Sequence, residues 1–317
     1  MNRTLHSIIA AGPKRRALAM VLLSLLHWSD SAPAAAMPTL PIGTLTDAFQ
    51  ASAFSPDRAP GANDWHCVPT AIHPRPVVLV HGTFVNMGFA WAALAPALKN
   101  QGYCVYALNY GQNSFSLGGR AGGLTDITAS ARELKTFIDR VLAATKTTQV
   151  DLVGHSQGGM LPNYYIKRLG GAPRVHTLVG LAPSNHGTSA SGLLTLAQKV
   201  GMINGRHATA ARTATSVSQQ QVGSDFMTTL FADGDTVPGP HYVVIATRKD
   251  RVITPYTQSF LTGPQVRNIT IQDQCPKDHT HHIGLPFDGP TIRNVLNVLG
   301  PNEPGFMADC GAYRNSP

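Results

Sequence analysis

Residues 149–160 read QVDLVGHSQGGM, and within them Ser156 stands between two glycines, Gly154 and Gly158. A short apolar strand, Val150 with Leu152 and Val153, runs straight into this G-x-S-x-G element, and a helix-compatible segment follows. A serine at such a strand-to-helix turn is a nucleophile elbow. The turn needs glycine because a Cβ there would collide with neighbouring backbone. It lifts the serine hydroxyl above the sheet and aims the backbone N–H of Gln157 at the same point. A chain of this length carries the five-residue pattern by chance roughly one time in ten. The strand–turn–helix context, and a second motif upstream, are what give it weight.

Acyl transfer by serine needs a base to take its proton, an acid to orient that base, and N–H donors for the developing oxyanion. In the strand–elbow–helix context the chain order is Ser, then Asp or Glu, then His. Asp250, in YVVIATRKDRVITPY, follows an apolar strand and lies in the loop at its carboxyl end. Asp225, Asp233 and Asp235 fall in a long insertion, and Asp273 lies too near the histidines that follow, so these are weaker candidates. After Asp250 come only His279, His281 and His282, all in CPKDHTHHIGLPFD, and position alone does not choose among them. A metal site on this trio lacks a nearby acidic ligand set. The second oxyanion donor must come from the loop after the first core strand. PVVLVHGTF, residues 76–84, offers the N–H of Thr83, with the Thr83 hydroxyl as a further donor.

The elements that must hold these residues alternate along the chain. Strands are expected at 76–80, 103–108, 150–153, 175–181, 242–246 and 266–271. Between them lie a helix-like WAALAPALKNQG, a helix over 127–143 with Ile127, Leu134, Phe137, Ile138, Val141 and Leu142 on one face, and a helix near 160–169; a last helix spans 290–299. Apolar strands alternating with amphipathic helices mean an α/β fold, a doubly wound and mostly parallel sheet with helices on both faces. Residues 37–66, rich in Pro, Ala and Ser, read as a surface wrap. Residues 187–240 break the rhythm, with apolar Leu193, Leu194, Leu196, Val200 and Met202 near their start, and read as a helical cap or lid over the nucleophile.

The N-terminus carries Arg3, Lys14, Arg15 and Arg16, then an apolar run over 17–26, then SAPAAAM. This is the pattern of an export leader, expected to be cleaved after Ala36 to leave one catalytic domain over 37–317. The formal charge of the whole chain is +8, of which residues 1–36 hold +3. The remaining charge forms no basic run, so no nucleic-acid partner is indicated. No obligate protein partner is evident either. Four cysteines in an exported chain make two disulfides, with three pairings open. Pairing Cys67 with Cys104 and Cys275 with Cys310 would close loops worth about 4 kcal/mol each in the chain-entropy model.

Taken together, DWHCVPTAIHPRPVVLVHGTFVN, GYCVYALNYG, VDLVGHSQGGM, IATRKDRVITPY and CPKDHTHHIGLPFD resemble the successive motifs of the class 2 bacterial lipases, secreted members of the α/β-hydrolase superfamily. The resemblance covers roughly residues 60–310. It implies Ser156 as nucleophile, Asp250 as triad acid and His282 as base, because the family's His directly precedes an I-G-L-x-[FY]-D run. It supports the two disulfides, since the four cysteines fall at the family's positions. The chain departs from that pattern in carrying His279 and His281 beside the base. The expected reading is a secreted serine ester hydrolase, a triacylglycerol lipase, with Thr83 and Gln157 forming the oxyanion hole. It needs no cofactor, no metal is assigned, and its partners are a lipid or ester substrate and a transient lipid interface. Fold does not settle substrate. The rival readings are a short-chain carboxylesterase, a polyester hydrolase or an acyltransferase and, outside enzymes, a catalytically idle hydrolase fold used for binding.

Overall fold

Five apolar runs and a mixed one, VRNIT, pair side by side into one sheet: β1 (Val77–Val80), β2 (Val105–Leu108), β3 (Val150–His155), β4 (Val175–Leu181), β5 (His241–Ala246) and β6 (Val266–Thr270). The spatial order is β2-β1-β3-β4-β5-β6, and every pair is parallel. The computed structural model describes residues 39–116, 118–201 and 214–314. Two units divide the chain, Met1–Pro38 and Thr39–Pro317, and every described residue lies in the second. The expected leader, with its cleavage after Ala36, lies outside the described residues, as does Met202 of the insertion.

The helices are α1 (Leu45–Phe54), α2 (Met87–Ala90), α3 (Leu94–Asn100), α4 (Ile127–Thr145), α5 (Gln157–Arg168), α6 (Ala190–Lys199), α7 (Thr215–Gln219), α8 (Asp225–Phe231), α9 (Ile271–Gln274) and α10 (Gly289–Leu299). Strands β1–β4 and most of β5 are buried on both faces, as their unbroken apolar runs require, while edge strand β6 is half-buried. Val77 and Leu79 share one core with Leu94 and Leu98 of α3 and Ile292 and Val295 of α10. Val78 and Val80 share the other with Ile127, Leu134 and Ile138 of α4 and Met160 and Leu161 of α5. Each fully buried Val, Leu or Ile contributes about 1.5–3 kcal/mol.

The strand order makes the site. From β1 the chain steps outward to β2, then returns to the other side of β1 as β3 and continues away through β4. Loops leaving the carboxyl ends of β1 and β3 therefore diverge and open a crevice between them. Thr83 follows β1, and Ser156 follows β3.

Several boundaries differ from those the sequence suggests. The first turn of α5 begins at Gln157 rather than near 160, since the glycines and Pro162 that mask a helical reading sit where backbone must come close. Residues 37–66 carry α1, capped by a reciprocal pair in which Asp47 N–H donates to Thr44 Oγ1 and Thr44 N–H to Asp47 Oδ2. This helix packs Phe49 edge-on against Phe89 at 5.1 Å. The apolar residues at the start of the insertion divide: Leu193 and Leu196 are buried in the core, while Leu194 is exposed.

Close packing at the elbow gives a stability prediction. A Cβ on Gly154 would lie 1.9 Å from the Gly158 carbonyl oxygen, and one on Gly158 would lie 2.1 Å from that of Val80. Backbone cannot yield as a side chain can. Gly154→Ala is expected to cost on the order of 3 kcal/mol or more in urea unfolding. A variant as stable as the parent would show that the elbow is not held by this contact.

Candidate active site

Ser156 occupies the crest between β3 and α5 with φ 56° and ψ −125°, a left-handed backbone conformation rarely taken by non-glycine residues. A Cβ built on Gly82 would lie 3.0 Å from Ser156 Cβ, so the loop after β1 runs directly beside the serine. The backbone N–H groups of Thr83 and Gln157 donate to no acceptor among the described residues. Two unspent donors thus belong to residues at the serine's side, one next in its own chain and one in the loop beside it.

Asp250 lies past β5 in a loop that grips its carboxylate. Oδ1 accepts from the N–H of Val252 (2.7 Å) and of Ile253 (2.9 Å), and Oδ2 accepts from His282 Nδ1 at 2.8 Å. Burial pushes this carboxyl up, but the charge and hydrogen bond of His282 and the two backbone donors outweigh it. The net effect holds Asp250 below the usual carboxylate range. With Nδ1 donating, His282 keeps Nε2 as an acceptor. Ser156 Oγ and His282 Nε2 are both buried and without a hydrogen-bond partner among the described residues.

The three histidines part company in their surroundings. His282 is 1% exposed, whereas His279 and His281 are exposed. His281 Nδ1 donates to the Lys249 carbonyl at 2.9 Å and so fastens the histidine loop to the Asp250 loop. Thr247 Oγ1 does the same by donating to the Thr280 carbonyl at 2.7 Å. The other carboxylates are engaged elsewhere: Asp273 with Arg248, Asp233 with Arg168, and Asp235 with Thr262. Asp225 stands in the first turn of α8. The disulfides are Cys67–Cys104 and Cys275–Cys310, and the second anchors the chain seven residues before His282. No group of three or more His, Cys, Asp or Glu side chains able to hold a metal occurs among the described residues.

Two buried histidines were not singled out by the sequence reading. His155, which reads as the filler inside the elbow, lies 2.9 Å through Nε2 from the His282 carbonyl. A carbonyl only accepts, so Nε2 carries the proton and the elbow holds the backbone of the histidine loop. His81 donates from Nδ1 to the Gly82 carbonyl at 2.8 Å and stacks on Tyr110 at 4.5 Å. The Tyr110 hydroxyl in turn bridges the His81 carbonyl and the Gln157 side-chain amide at 2.8 and 2.9 Å. Burial brings His81 down to about 4; burial and then the neighbouring His282 bring His155 down to about 3.

A family model described as Lipase (class 2) matches residues 74–286. A triacylglycerol lipase of Pseudarthrobacter phenanthrenivorans is 34% identical over 96 residues, 28% of this chain and 27% of that protein. A triacylglycerol lipase of Burkholderia plantarii is likewise 34% identical over 96 residues, 28% of this chain and 24% of that protein. The match therefore spans about a quarter of the length of these curated relatives. Among solved structures, lipase B of Aspergillus fumigatus superposes with a TM-score of 0.60 at 17% identity, covering 95% of this chain and 64% of that one. Mature lipase BlEst2 of Bacillus licheniformis gives 0.54 at 16% identity, covering 73% of this chain and 94% of its own. At these identities the likeness establishes the fold.

The buried imidazoles set a pH dependence. In the folded protein His155 and His81 stay neutral at pH values where an exposed imidazole, ordinarily near 6.5, takes up a proton. Below pH 6.5 the unfolded chain thus binds protons that the folded protein does not. Stability then falls with pH at about 1.4 kcal/mol per unit for each ring, levelling off only near their lowered values. Replacing His155 with Asn is expected to flatten the fall in urea-derived stability between pH 7 and pH 5. An unchanged slope would contradict a neutral, buried His155.

Proposed function

The chain belongs to the class 2 lipase family, and from that premise we propose that it is a secreted serine ester hydrolase acting on acylglycerols. The observation that carries the reading is the juxtaposition at the crevice. His282, a carboxylate-oriented imidazole with a bare Nε2, is bonded through its carbonyl to His155, the neighbour of Ser156. The buried Ser156 hydroxyl is also bare, and the adjoining Gln157 and the β1 loop residue Thr83 carry unspent backbone N–H groups. Buried polar atoms ordinarily have partners, and these lack one where a reacting ester would supply it.

Ser156 Oγ attacks the ester carbonyl while His282 Nε2 takes its proton. Asp250 holds the ring in the tautomer that leaves Nε2 basic and stabilises the imidazolium that forms. The N–H groups of Thr83 and Gln157 take the negative charge that develops on the carbonyl oxygen. Collapse of the tetrahedral intermediate expels the alcohol, which receives its proton from His282. Water, activated by the same ring, then releases the acid from the acyl-enzyme. The serine–imidazole hydrogen bond is not made in the free protein and forms with the reacting complex, as often happens in catalytic sites.

An apolar substrate fits the walls. A cavity of about 210 Å³ is lined mostly by apolar residues, among them Phe49, Phe84, Val85, Phe89 and Val200, with Ser52 and Arg120 also in its wall, and Phe84 and Val85 directly follow Thr83. Its mostly apolar lining suits an acyl chain. Export is supported by the basic–apolar–small pattern of residues 1–36 and by the two disulfides, which persist in oxidising compartments. Among the described residues no helix is long and apolar enough to cross a membrane.

Hydrolysis of p-nitrophenyl butyrate and of emulsified tributyrin tests the assignment. The parent is expected to cleave both. Ser156→Ala and His282→Ala should each lower kcat by at least about 10⁴-fold, since the two act as a unit. His279→Ala and His281→Ala should each cost less than about tenfold, because neither ring meets the reacting atoms. A Ser156→Ala protein keeping a tenth of the parent rate would overturn the mechanism.

A further inference from the structure

Arg267, in edge strand β6, makes no hydrogen bond, ion pair or ring contact among the described residues. It is half-buried all the same. Burial pushes its guanidinium down from the usual arginine range, and no neighbouring carboxylate offsets the lost water. A guanidinium carries five N–H donors in a rigid fork that matches the oxygens of a carboxylate or a phosphate.

This side chain lines a cavity of about 420 Å³ at the amino end of the sheet, opposite the end that carries Ser156. Four segments bring basic side chains to the cavity: Arg75 from just before β1, His176 from the start of β4, His241 from the start of β5, and Arg267 from β6. Parallel pairing collects them along one edge, although their positions in the chain form no basic run. No Asp or Glu is among the lining residues. The counter-charge beside them is Asp151, buried in β3, which accepts from Arg75 Nε at 2.9 Å and lies 3.2 Å from His176 Nδ1. It is one carboxylate against two guanidinium groups, and both Nη atoms of Arg75 stay unspent among the described residues. The His176 and His241 rings lie 5.4 Å apart and can add N–H donors to the same wall.

The wall is not polar throughout, because Val266, Val298 and Leu299 contribute to it. A volume of this order belongs with sites for small organic molecules, about 300–1,000 Å³, and exceeds what an inorganic anion fills. We propose that the cavity is a second binding site, for an amphiphilic organic anion. Its carboxylate or phosphate head is held by Arg267 together with Arg75, and its hydrocarbon body lies on Val266, Val298 and Leu299. The site is separate from the catalytic crevice and does not depend on the hydrolase reading.

Calorimetric titration of the full chain with octanoate, octyl phosphate, octanol and inorganic phosphate tests this. At least one octyl anion is expected to saturate a single site with a Kd below about 1 mM, and the tighter of the two identifies the head group. Octanol, which lacks the charge, and inorganic phosphate, which lacks the hydrocarbon, should each bind at least about tenfold more weakly. Arg267→Gln should weaken the octyl anion at least about tenfold. Arg132→Gln, which removes an exposed arginine of α4 outside the cavity, should leave its binding within about twofold. Thermal melting establishes that the variants fold; if Arg267→Gln does not, Arg267→Met, of similar reach and without charge, takes its place. Failure of both octyl anions to saturate, or octanol or inorganic phosphate binding as tightly as its octyl counterpart, would overturn the proposal. So would parent-like binding by the Arg267 variant, which places the anion elsewhere, or equal weakening in the Arg267 and Arg132 variants.

Discussion

Backbone pressed against backbone at the elbow is the constraint from which the site follows. Gly154 meets Gly158, and Gly158 meets the carbonyls of Val80 and His81 at distances that leave no room for a methyl group. The start of α5 is thereby held against the carboxyl end of β1, and Ser156 has only a left-handed backbone conformation open to it. Strain of roughly 1–3 kcal/mol at one residue is tolerated because the packed sheet over-determines it. The same contact brings the loop after β1, with Thr83, beside the serine. The proposed nucleophile and oxyanion donors are thus one construction, set by close approach at a topological switch point.

The proposed acid and base arrive from farther along the sheet and need their own ties. Asp250 is held by the N–H groups of its own loop, which leaves its second oxygen for His282. The histidine loop is then fastened on three sides, by Thr247 and Lys249 of the acid loop, by His155 of the elbow, and by the Cys275–Cys310 bridge. A buried carboxylate with an imidazole partner is costly to form unless its oxygens are hydrogen-bonded. Here the loop donors satisfy Oδ1 and His282 satisfies Oδ2.

The sheet was legible in the sequence because apolar runs such as PVVLV and YVVIA admit little else when buried on both faces. The α4 face was legible through its periodicity. The elbow read correctly as a strand–turn–helix, yet α5 was misplaced by a turn, since the glycines and Pro162 look like helix breakers to a local reading. α1 was missed within a Pro- and Ala-rich stretch, although Thr44 and Asp47 form a capping box there. Among the site residues, chain order limited the base to His279, His281 or His282, and only a family resemblance singled out His282. The structure separates them by burial. His155 was out of reach: its partner His282 lies 127 residues away, and nothing in the local pattern encodes such a distance.

The most direct test of the central claim is a crystal structure of the protein after reaction with an alkyl p-nitrophenyl phosphonate, a mimic of the tetrahedral intermediate. The expected result is a phosphorus bonded to Ser156 Oγ, with its phosphoryl oxygen about 2.7–3.1 Å from the backbone nitrogens of Thr83 and Gln157. His282 Nε2 should then lie within hydrogen-bond reach of Ser156 Oγ or the leaving-group position, with its Asp250 bond retained. Phosphonylation of a different residue, or a phosphoryl oxygen turned away from both nitrogens, would contradict the site as drawn.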